Sequence, residues 1–470
     1  MSTAELAPGS IGDSYEKFLR SKMKRAQPVG FKAKNLNKSL KDFQADLVTW
    51  FCRLGRGSCN SFTGSGKSLM ELAWCEQAIR QGDAGTKALI LCPLAVAQQT
   101  KREAEKFGIE VDVTVCRESA DVREGINLLN YERLHKIDPA QFDIVSLDEA
   151  SILKHIGSKT RQQVIDAFRH ARYKLPATAT PAPNDHMELG NQAEFCGWMT
   201  RSEMLATFFV HDSGDTAKWR LRGHAETEFW KWMASWSAML RSPADLGYDD
   251  SEYLLPPINF HEHVIETKPG FGLLFAMEAK TLNEQRDARR ETVEERAQLV
   301  ADLANKSNDP WIVWCDLNVE SETVTKMIPD AVEIAGRHSL EEKEERLEDF
   351  AIGKTRVLVT KASIAGFGMN FQHCNNANFL GLSHSWEAYY QAIRRIYRFG
   401  QKKPVHVHIT VSARDAAVVA NIHRKEADFD RMLDGMVNAM KDETRKNIRS
   451  GTIDRTNYEP AMKLALPEWL

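Results

Sequence analysis

Ser61-Phe-Thr-Gly-Ser-Gly-Lys-Ser68 is the stretch on which the reading of the fold turns. Glycines at 64 and 66 have no Cβ, so backbone N–H groups can close around an anion, and the helix that follows presents its positive end. Lys67 is suited to the β- and γ-phosphates of a nucleotide, and the Ser68 hydroxyl to one Mg2+ position. Thr63, Gly64, Ser65 and Gly66 complete the cradle. The full phosphate-loop pattern opens on glycine, and Ser61 stands there instead.

Downstream, Asp143-Ile-Val-Ser-Leu-Asp148 is a short apolar run that predicts a buried strand with an acid at its carboxyl end. Mg2+ needs an oxygen ligand opposite the loop serine, and Asp148 is the candidate. Hydrolysis also needs a group to orient and deprotonate water, and the adjacent Glu149 is suited to that. The two motifs together point to hydrolysis of ATP or GTP. A third element is Gln391-Ala-Ile-Arg-Arg-Ile-Tyr-Arg-Phe-Gly-Gln401. Arg394, Arg395 and Arg398 recur at helical spacing with Gln391 one turn earlier, predicting a basic helix. A bare basic helix would face solvent. Opposite a phosphate loop, its arginines become candidates for stabilising the charge of a transferring phosphoryl group.

The surroundings of these motifs predict two α/β lobes. Ala88–Cys92 and the run ending at Asp148 are buried strands of a first lobe, spanning 36–190 after a basic lead-in at 1–35. Strand and helix alternation of this kind makes a parallel sheet covered on both faces. From 191 to 305 the rhythm breaks, and a helical insertion is expected. Tryptophans 198, 219, 230, 232 and 236 fall here, and Glu226 to Leu240 carries Phe229, Trp232, Met233, Trp236 and Leu240 at helical spacing. A packed helical core is the expectation, with base stacking as the alternative. Leu282 to Ala304, rich in charge, predicts an exposed helix. Apolar runs at 311–315, 356–360, 378–382 and 405–411 then predict a second parallel-sheet lobe over 306–415, followed by a C-terminal helical segment over 416–470.

Composition excludes more than it suggests. A chain of 470 residues exceeds one ordinary core, and 43% hydrophobic with 27% charged residues is a globular balance. No stretch is apolar for the roughly 20 residues a membrane span needs, and Met1 to Ser10 lacks the pattern of a secretory leader. The eight cysteines are scattered and none forms a C-x-x-C pair, which predicts buried, reduced thiols rather than a zinc knuckle. A net charge of −3 is far from that of a nucleic-acid coat protein. A cytoplasmic protein of a bacterial or phage-infected cell is the expectation.

With these residues in hand the sequence resembles a superfamily 2 helicase-type ATPase, and within it the Swi/Snf-like translocase branch. The resemblance runs from about 36 to 412. Leu40-Lys-Asp-Phe-Gln44 resembles the adenine-reading segment, which implies ATP and gives Gln44 that role. Thr63 to Ser68 resembles motif I in a form that tolerates the missing glycine. Cys92-Pro-Leu-Ala95 through Gln98 resembles motif Ia and Asn130-Tyr131-Glu132 motif Ib, implying DNA contacts at Pro93, Gln98, Asn130 and Tyr131. Asp148 to Ser151 resembles the D-E-x-x box, with Ser151 departing from the usual fourth residue. Leu175 to Pro181, with Asn184 following, resembles motif III, implying that Thr178 and Thr180, with Gln391, couple nucleotide state to lobe movement. Ser363 to Asn370 resembles motif V, implying nucleotide contact by Gly368 and DNA contact by Ser363 and Asn370. Gln391 to Gln401 resembles motif VI, where Arg394 replaces a common glycine while Arg395 and Arg398 keep the two finger positions. The closing Arg398-Phe-Gly-Gln401 is the most branch-specific of these signals.

The resemblance implies an ATP- and Mg2+-dependent motor that tracks double-stranded DNA, compact like the helicase-like proteins of bacterial and phage genomes. A separate DNA-processing protein such as a nuclease is an expected partner. A strand-separating helicase on DNA or RNA, and an ATP-timed loader or scaffold, remain the alternatives.

Overall fold

The structure is a computed structural model that describes residues 28–93, 96–154, 159–182, 185–212, 215–266, 282–366 and 369–449. Residues 1–27 of the lead-in, residues 450–470 of the C-terminal segment, Asn184 and Gly368 lie outside the described residues.

Both predicted lobes are present as parallel sheets. The first contains β1 (Ser58–Ser61), β2 (Lys87–Cys92), β3 (Val113–Val115), β4 (Gly125–Asn130), β5 (Ile144–Asp148) and β6 (Tyr173–Thr178). After an antiparallel hairpin, β7 (Phe209–Asp212) and β8 (Asp215–Leu221), the strand β9 (Ser237–Leu240) completes it in the order β3-β4-β2-β5-β6-β1-β9. The second contains β10 (Ile258–Ile265), β11 (Trp311–Cys315), β12 (Ala331–Ile334), β13 (Val357–Lys361), β14 (Asn376–Leu380) and β15 (Val405–Ser412). Its order is β10-β15-β14-β11-β13-β12. Their central strands are buried along nearly their whole length because each is covered on both faces.

The segment expected as a helical insertion is not one. β9 pairs with β1 over four residues, and β10 pairs with β15 over eight, so 191–305 contributes a strand to each sheet. The helix read over Glu226 to Leu240 stops at Ala234, and Leu240 lies in β9 instead. Periodicity could not separate them, because a short apolar tail fits either element and sheet pairing decides. The helix expected to be exposed over Leu282 to Ala304 is two helices, Leu282–Glu291 and Val293–Asn305. The second buries Ala297, Val300, Ala301 and Ala304 in a core cluster that includes residues of β11, β13 and β14.

Four of the five tryptophans are buried: Trp198, Trp230, Trp232 and Trp236. They pack with Phe208 and Phe229 on one face of the first sheet, so their rings are not free to stack on bases. The 34-residue helix Ala416–Arg449 starts on the second lobe and returns to the first. Phe429 lies against Trp386 of the second lobe, and Met436, Val437 and Met440 join the tryptophan cluster of the first. All eight cysteines are buried and unpaired. No helix among the described residues is long and apolar enough to cross a membrane.

Candidate nucleotide cleft

The carboxyl ends of β1, β5 and β6 meet the second lobe across a closed cleft. β1 ends at Ser61 and the helix Lys67–Ile79 follows the loop. Gly64 and Gly66 have φ of 87° and 82°, left-handed values that explain glycine at both places. The Ser61 hydroxyl lies 2.6 Å from that of Ser65, and both side chains are buried. Serine in the first-glycine position therefore acts as an internal tie of the loop. Gln44 accepts from the Lys41 N–H at 2.8 Å and donates to the Ser65 carbonyl at 2.7 Å, joining the loop to the helix Asp42–Leu54.

Lys67 folds back so that Nζ donates to the carbonyls of Ser61 (3.0 Å) and Phe62 (3.1 Å). Burial lowers its pKa, while the charges of Glu149 and Asp148 oppose that shift and Arg398 adds to it. The Thr63 hydroxyl is buried and has no hydrogen-bond partner among the described residues. Such an atom is open to a partner from a ligand.

Asp148 closes β5. Burial pushes its carboxyl up to about 7, with the neighbouring Glu149 charge adding to the shift and Lys67 opposing it. Glu149 holds a left-handed φ of 56°, a conformation that costs energy for a side chain with a Cβ. That backbone turns its carboxylate into a hydrogen-bonded ring that crosses between the lobes. Thr178 Oγ1 donates to Glu149 Oε2 (3.5 Å) and accepts from the Thr180 N–H (3.1 Å). Gln391 Nε2 donates to Thr180 Oγ1 (3.1 Å), and Arg395 Nη2 donates to Gln391 Oε1 (2.8 Å). Arg395 then closes the ring on Glu149 Oε1 at 3.5 Å.

The predicted basic helix ends early, spanning Trp386–Ile393, so Arg395 and Arg398 lie in the turns beyond it. Gln401 holds those turns by donating to the carbonyls of Ile396, Gln372 and Cys374. This fastening gives the R-x-G-Q ending a physical reason. Arg398 is half-buried, and burial together with Arg395 lowers its pKa to about 10 against the pull of Glu103, Glu149 and Asp148. It faces the cleft. Arg394 stacks on Tyr390 and Tyr397 and lines a cavity between the lobes that also holds Thr63.

The residues expected at DNA divide. Gln98 and Ser363 are exposed and Pro93 is half-buried. The Asn370 N–H donates to Gln99 Oε1 across the lobes at 3.1 Å. Asn130 is buried, with Nδ2 donating to Glu344 of the second lobe at 3.0 Å. Tyr131 does not face a DNA surface: it is buried in the core and its hydroxyl donates to the Asp148 carbonyl at 2.9 Å. Its aromatic bulk serves packing behind the site. Sequence reading missed Glu71, a buried acid whose only signal is its place one turn after Lys67.

Residues 34–183 match the family described as type III restriction enzyme, res subunit, and residues 294–400 match the helicase conserved C-terminal domain. The chain belongs to the superfamily 2 helicase-type ATPases. Among curated relatives of this ATPase, protein p41 of Acyrthosiphon pisum secondary endosymbiont phage 1 is 23% identical over 84% of this chain and 98% of its own length. The type ISP restriction-modification enzyme LlaBIII, solved bound to DNA, superposes with a TM-score of 0.51 at 13% identity. That match covers 84% of this chain and 30% of LlaBIII. The Sulfolobus solfataricus SWI2/SNF2 ATPase core in complex with dsDNA gives a TM-score of 0.40 at 17% identity, over 89% of this chain and 99% of that one.

Proposed function

We propose that this helicase-type ATPase is a Swi/Snf-like translocase that moves along double-stranded DNA, driven by ATP and Mg2+. The observation that carries the reading is the ring Glu149–Thr178–Thr180–Gln391–Arg395, in which the water-activating candidate and the finger candidate share one hydrogen-bonded circuit across the lobes. A nucleotide entering the cleft competes for Glu149 and Arg395, so its arrival and loss alter the contact between lobes.

In this reading Lys67 leaves the loop carbonyls for the phosphates, while Gln44 faces the base. Ser68 and Asp148 would hold Mg2+, which supplies neutralising charge beside the phosphates. Glu149 orients and deprotonates the attacking water. Arg395 and Arg398 bring charge to the transferring group from the second lobe. Gln98, Ser363 and Asn370 lie on the surfaces that would track the DNA backbone, a contact that positions without reading sequence. A neighbour of the same fold was solved on DNA, in agreement with this substrate. A nuclease or other DNA-processing protein is the proposed partner, with the cell cytoplasm as the setting.

The test is ATP turnover measured in parallel with duplex DNA, single-stranded DNA and RNA at fixed salt, together with triplex displacement and fork unwinding. Duplex-stimulated turnover with triplex displacement is expected. Fork unwinding without triplex displacement would turn the reading to a strand-separating helicase. Turnover indifferent to every nucleic acid would turn it to a timed loader.

A further inference from the structure

Beneath the cleft lies a fully buried contact between the helix Lys67–Ile79 and β5. Glu71 follows Lys67 by one helical turn, so both point from the helix Lys67–Ile79 toward β5. Ser146 precedes Asp148 by two residues, so both occupy the same face of β5. The contact Glu71–Ser146 is thus one rung below the level of Lys67 and Asp148. Ser146 Oγ is 2.6 Å from Glu71 Oε1 and 2.7 Å from the carbonyl oxygen of Leu175 in β6. Glu71 and Ser146 are 1% and 0% exposed, so neither reaches bulk solvent, and Glu71 Oε2 has no hydrogen-bond partner among the described residues.

Three oxygens joined by two short contacts require two hydrogens. A serine hydroxyl has one, and a backbone carbonyl has none. One hydrogen divided between two acceptors would lengthen both contacts, whereas both are as short as well-formed O–H···O bonds. The missing hydrogen belongs to Glu71. We infer that Glu71 is held as a neutral carboxylic acid, donating to Ser146, which in turn donates to Leu175. The relay makes Glu71 a positioning residue, because it fastens the helix carrying Lys67 and Ser68 to the strands ending at Asp148–Glu149 and Thr178. Burial, followed by the nearby Asp148 charge, raises the Glu71 pKa well above the ordinary carboxylate range, in the same direction.

Neutrality also matters for the cleft above. Lys67, Arg395 and Arg398 are three cationic side chains set against Asp148 and Glu149, with Glu103 also acting on Arg398 and Asp148. An ionised Glu71 would add a further acid beneath a site proposed to receive a triphosphate, and would draw Lys67 downward. This consequence rests on the proposed ATP site; the protonation state itself does not.

The test therefore begins without nucleotide. Infrared difference spectra of the full chain and Glu71→Gln are compared at mildly alkaline pH, where Asp148, raised to about 7, is ionised. The wild type should show the carbonyl stretch of a protonated acid, sensitive to deuterium exchange, and Glu71→Gln should lack it. Loss of a carboxylate band in its place overturns the inference, as does a Glu71→Gln chain that cannot fold, since an amide is a neutral donor of similar size. For the positioning role, Glu71→Ala should lower kcat for ATP by roughly ten-fold or more, the scale of one buried hydrogen bond left unmade, and Glu71→Gln should recover most of it. A Glu71→Gln rate as low as that of Glu71→Ala, with the infrared band assigned to Glu71, removes the positioning role. Absence of ATP turnover in the wild type would instead strike the proposed function and leave the infrared result standing.

Discussion

Each lobe sends a strand into the amino end of a helix, and the two ends are finished in opposite ways. In the first lobe β1 leads through the loop at 62–66 into Lys67–Ile79, with a lysine as the first helical residue and glycines in left-handed conformation before it. In the second lobe β11 leads into the helix Asn318–Met327. There Glu320 Oε2 accepts the N–H groups of Asp316 (3.0 Å) and Leu317 (2.9 Å), so the protein supplies its own anion. Glu320 Oε1 accepts from Arg296 at 2.9 Å, and both side chains are 0% exposed. Gly381, with φ of 95°, gives the carboxylate its space, since a Cβ there would lie 2.7 Å from Glu320 Oε1. A helix N-terminus attracts negative charge wherever it occurs. One lobe satisfies that demand internally, and the other keeps a lysine and flexible glycines for a ligand.

The sharpest way to break this contrast is to exchange the consequences of mutation. Lys67→Ala should abolish ATP hydrolysis while the chain still folds, as circular dichroism would report. Measurable turnover at saturating ATP would remove Lys67 from the phosphates. Next in size, Arg398→Ala should cost about 10³-fold in kcat with nucleotide binding largely kept, the range known for arginine fingers. Fluorescent-nucleotide titration beside steady-state turnover separates the two quantities. Weakened binding with unchanged kcat would make Arg398 a binding group alone.

Glu320→Ala should behave in the opposite sense. Removing it leaves the Arg296 guanidinium buried without its carboxylate, which costs about 3–5 kcal/mol. A urea or guanidinium unfolding midpoint should fall accordingly, while turnover per folded molecule survives. If stability held and turnover fell instead, the second helix end would be a ligand site and the contrast would fail.

Much of this division was legible from residues alone. Strands such as β5 and β11 declare themselves because burial on both faces leaves them mostly apolar. The loop at 61–68 was readable despite Ser61, because the glycines at φ of 87° and 82° are demanded by the backbone and cannot be replaced cheaply. Arg395 and Arg398 were found by spacing, yet the helix that suggested the spacing stops at Ile393. Their placement comes from Gln401 and its three carbonyl acceptors, contacts that no periodicity encodes. β9 was hidden because Ser-Ala-Met-Leu continues a helical stripe until β1 pairs with it. Glu71 was hidden for a different reason. An acid in a helix ordinarily reads as a solvated face, and only the tertiary fold makes it a buried donor.

Asp148 offers a smaller and opposite effect on stability. Its folded pKa of about 7 lies above the ordinary 3.8, so the ionised form is disfavoured in the ligand-free fold. Stability is then greatest where the group is protonated and falls as pH rises from about 4 toward 7. Asp148→Asn should raise the stability of the metal-free chain at pH 8 by on the order of 1 kcal/mol or more, and flatten this slope. The same substitution should abolish Mg2+-dependent turnover. A destabilised Asp148→Asn chain would mean that the carboxylate is compensated as Glu320 is, and the two lobes would differ less than their geometry says.

The smallest effect belongs to the outer rim of the interface between lobes. Arg102 pairs with Glu348 and Arg133 with Glu341, joining the first lobe to the acidic helix Leu340–Ala351. Arg102 and Glu348 are 46% and 38% exposed, so water and salt screen their attraction and the pair contributes less than about 1 kcal/mol. Arg102→Ala should therefore leave the unfolding midpoint almost unmoved. Arg102 also follows the exposed Gln98 by one turn of the helix Val96–Phe107, on the face proposed to meet the DNA backbone. A phosphate would compete with Glu348 for the same guanidinium. Duplex affinity should drop several-fold at low salt, and the slope of log affinity against log salt should shrink by about one charge. Maximal ATP turnover should stay the same. An unchanged slope would confine Arg102 to the seam between lobes and shift the DNA path away from this helix.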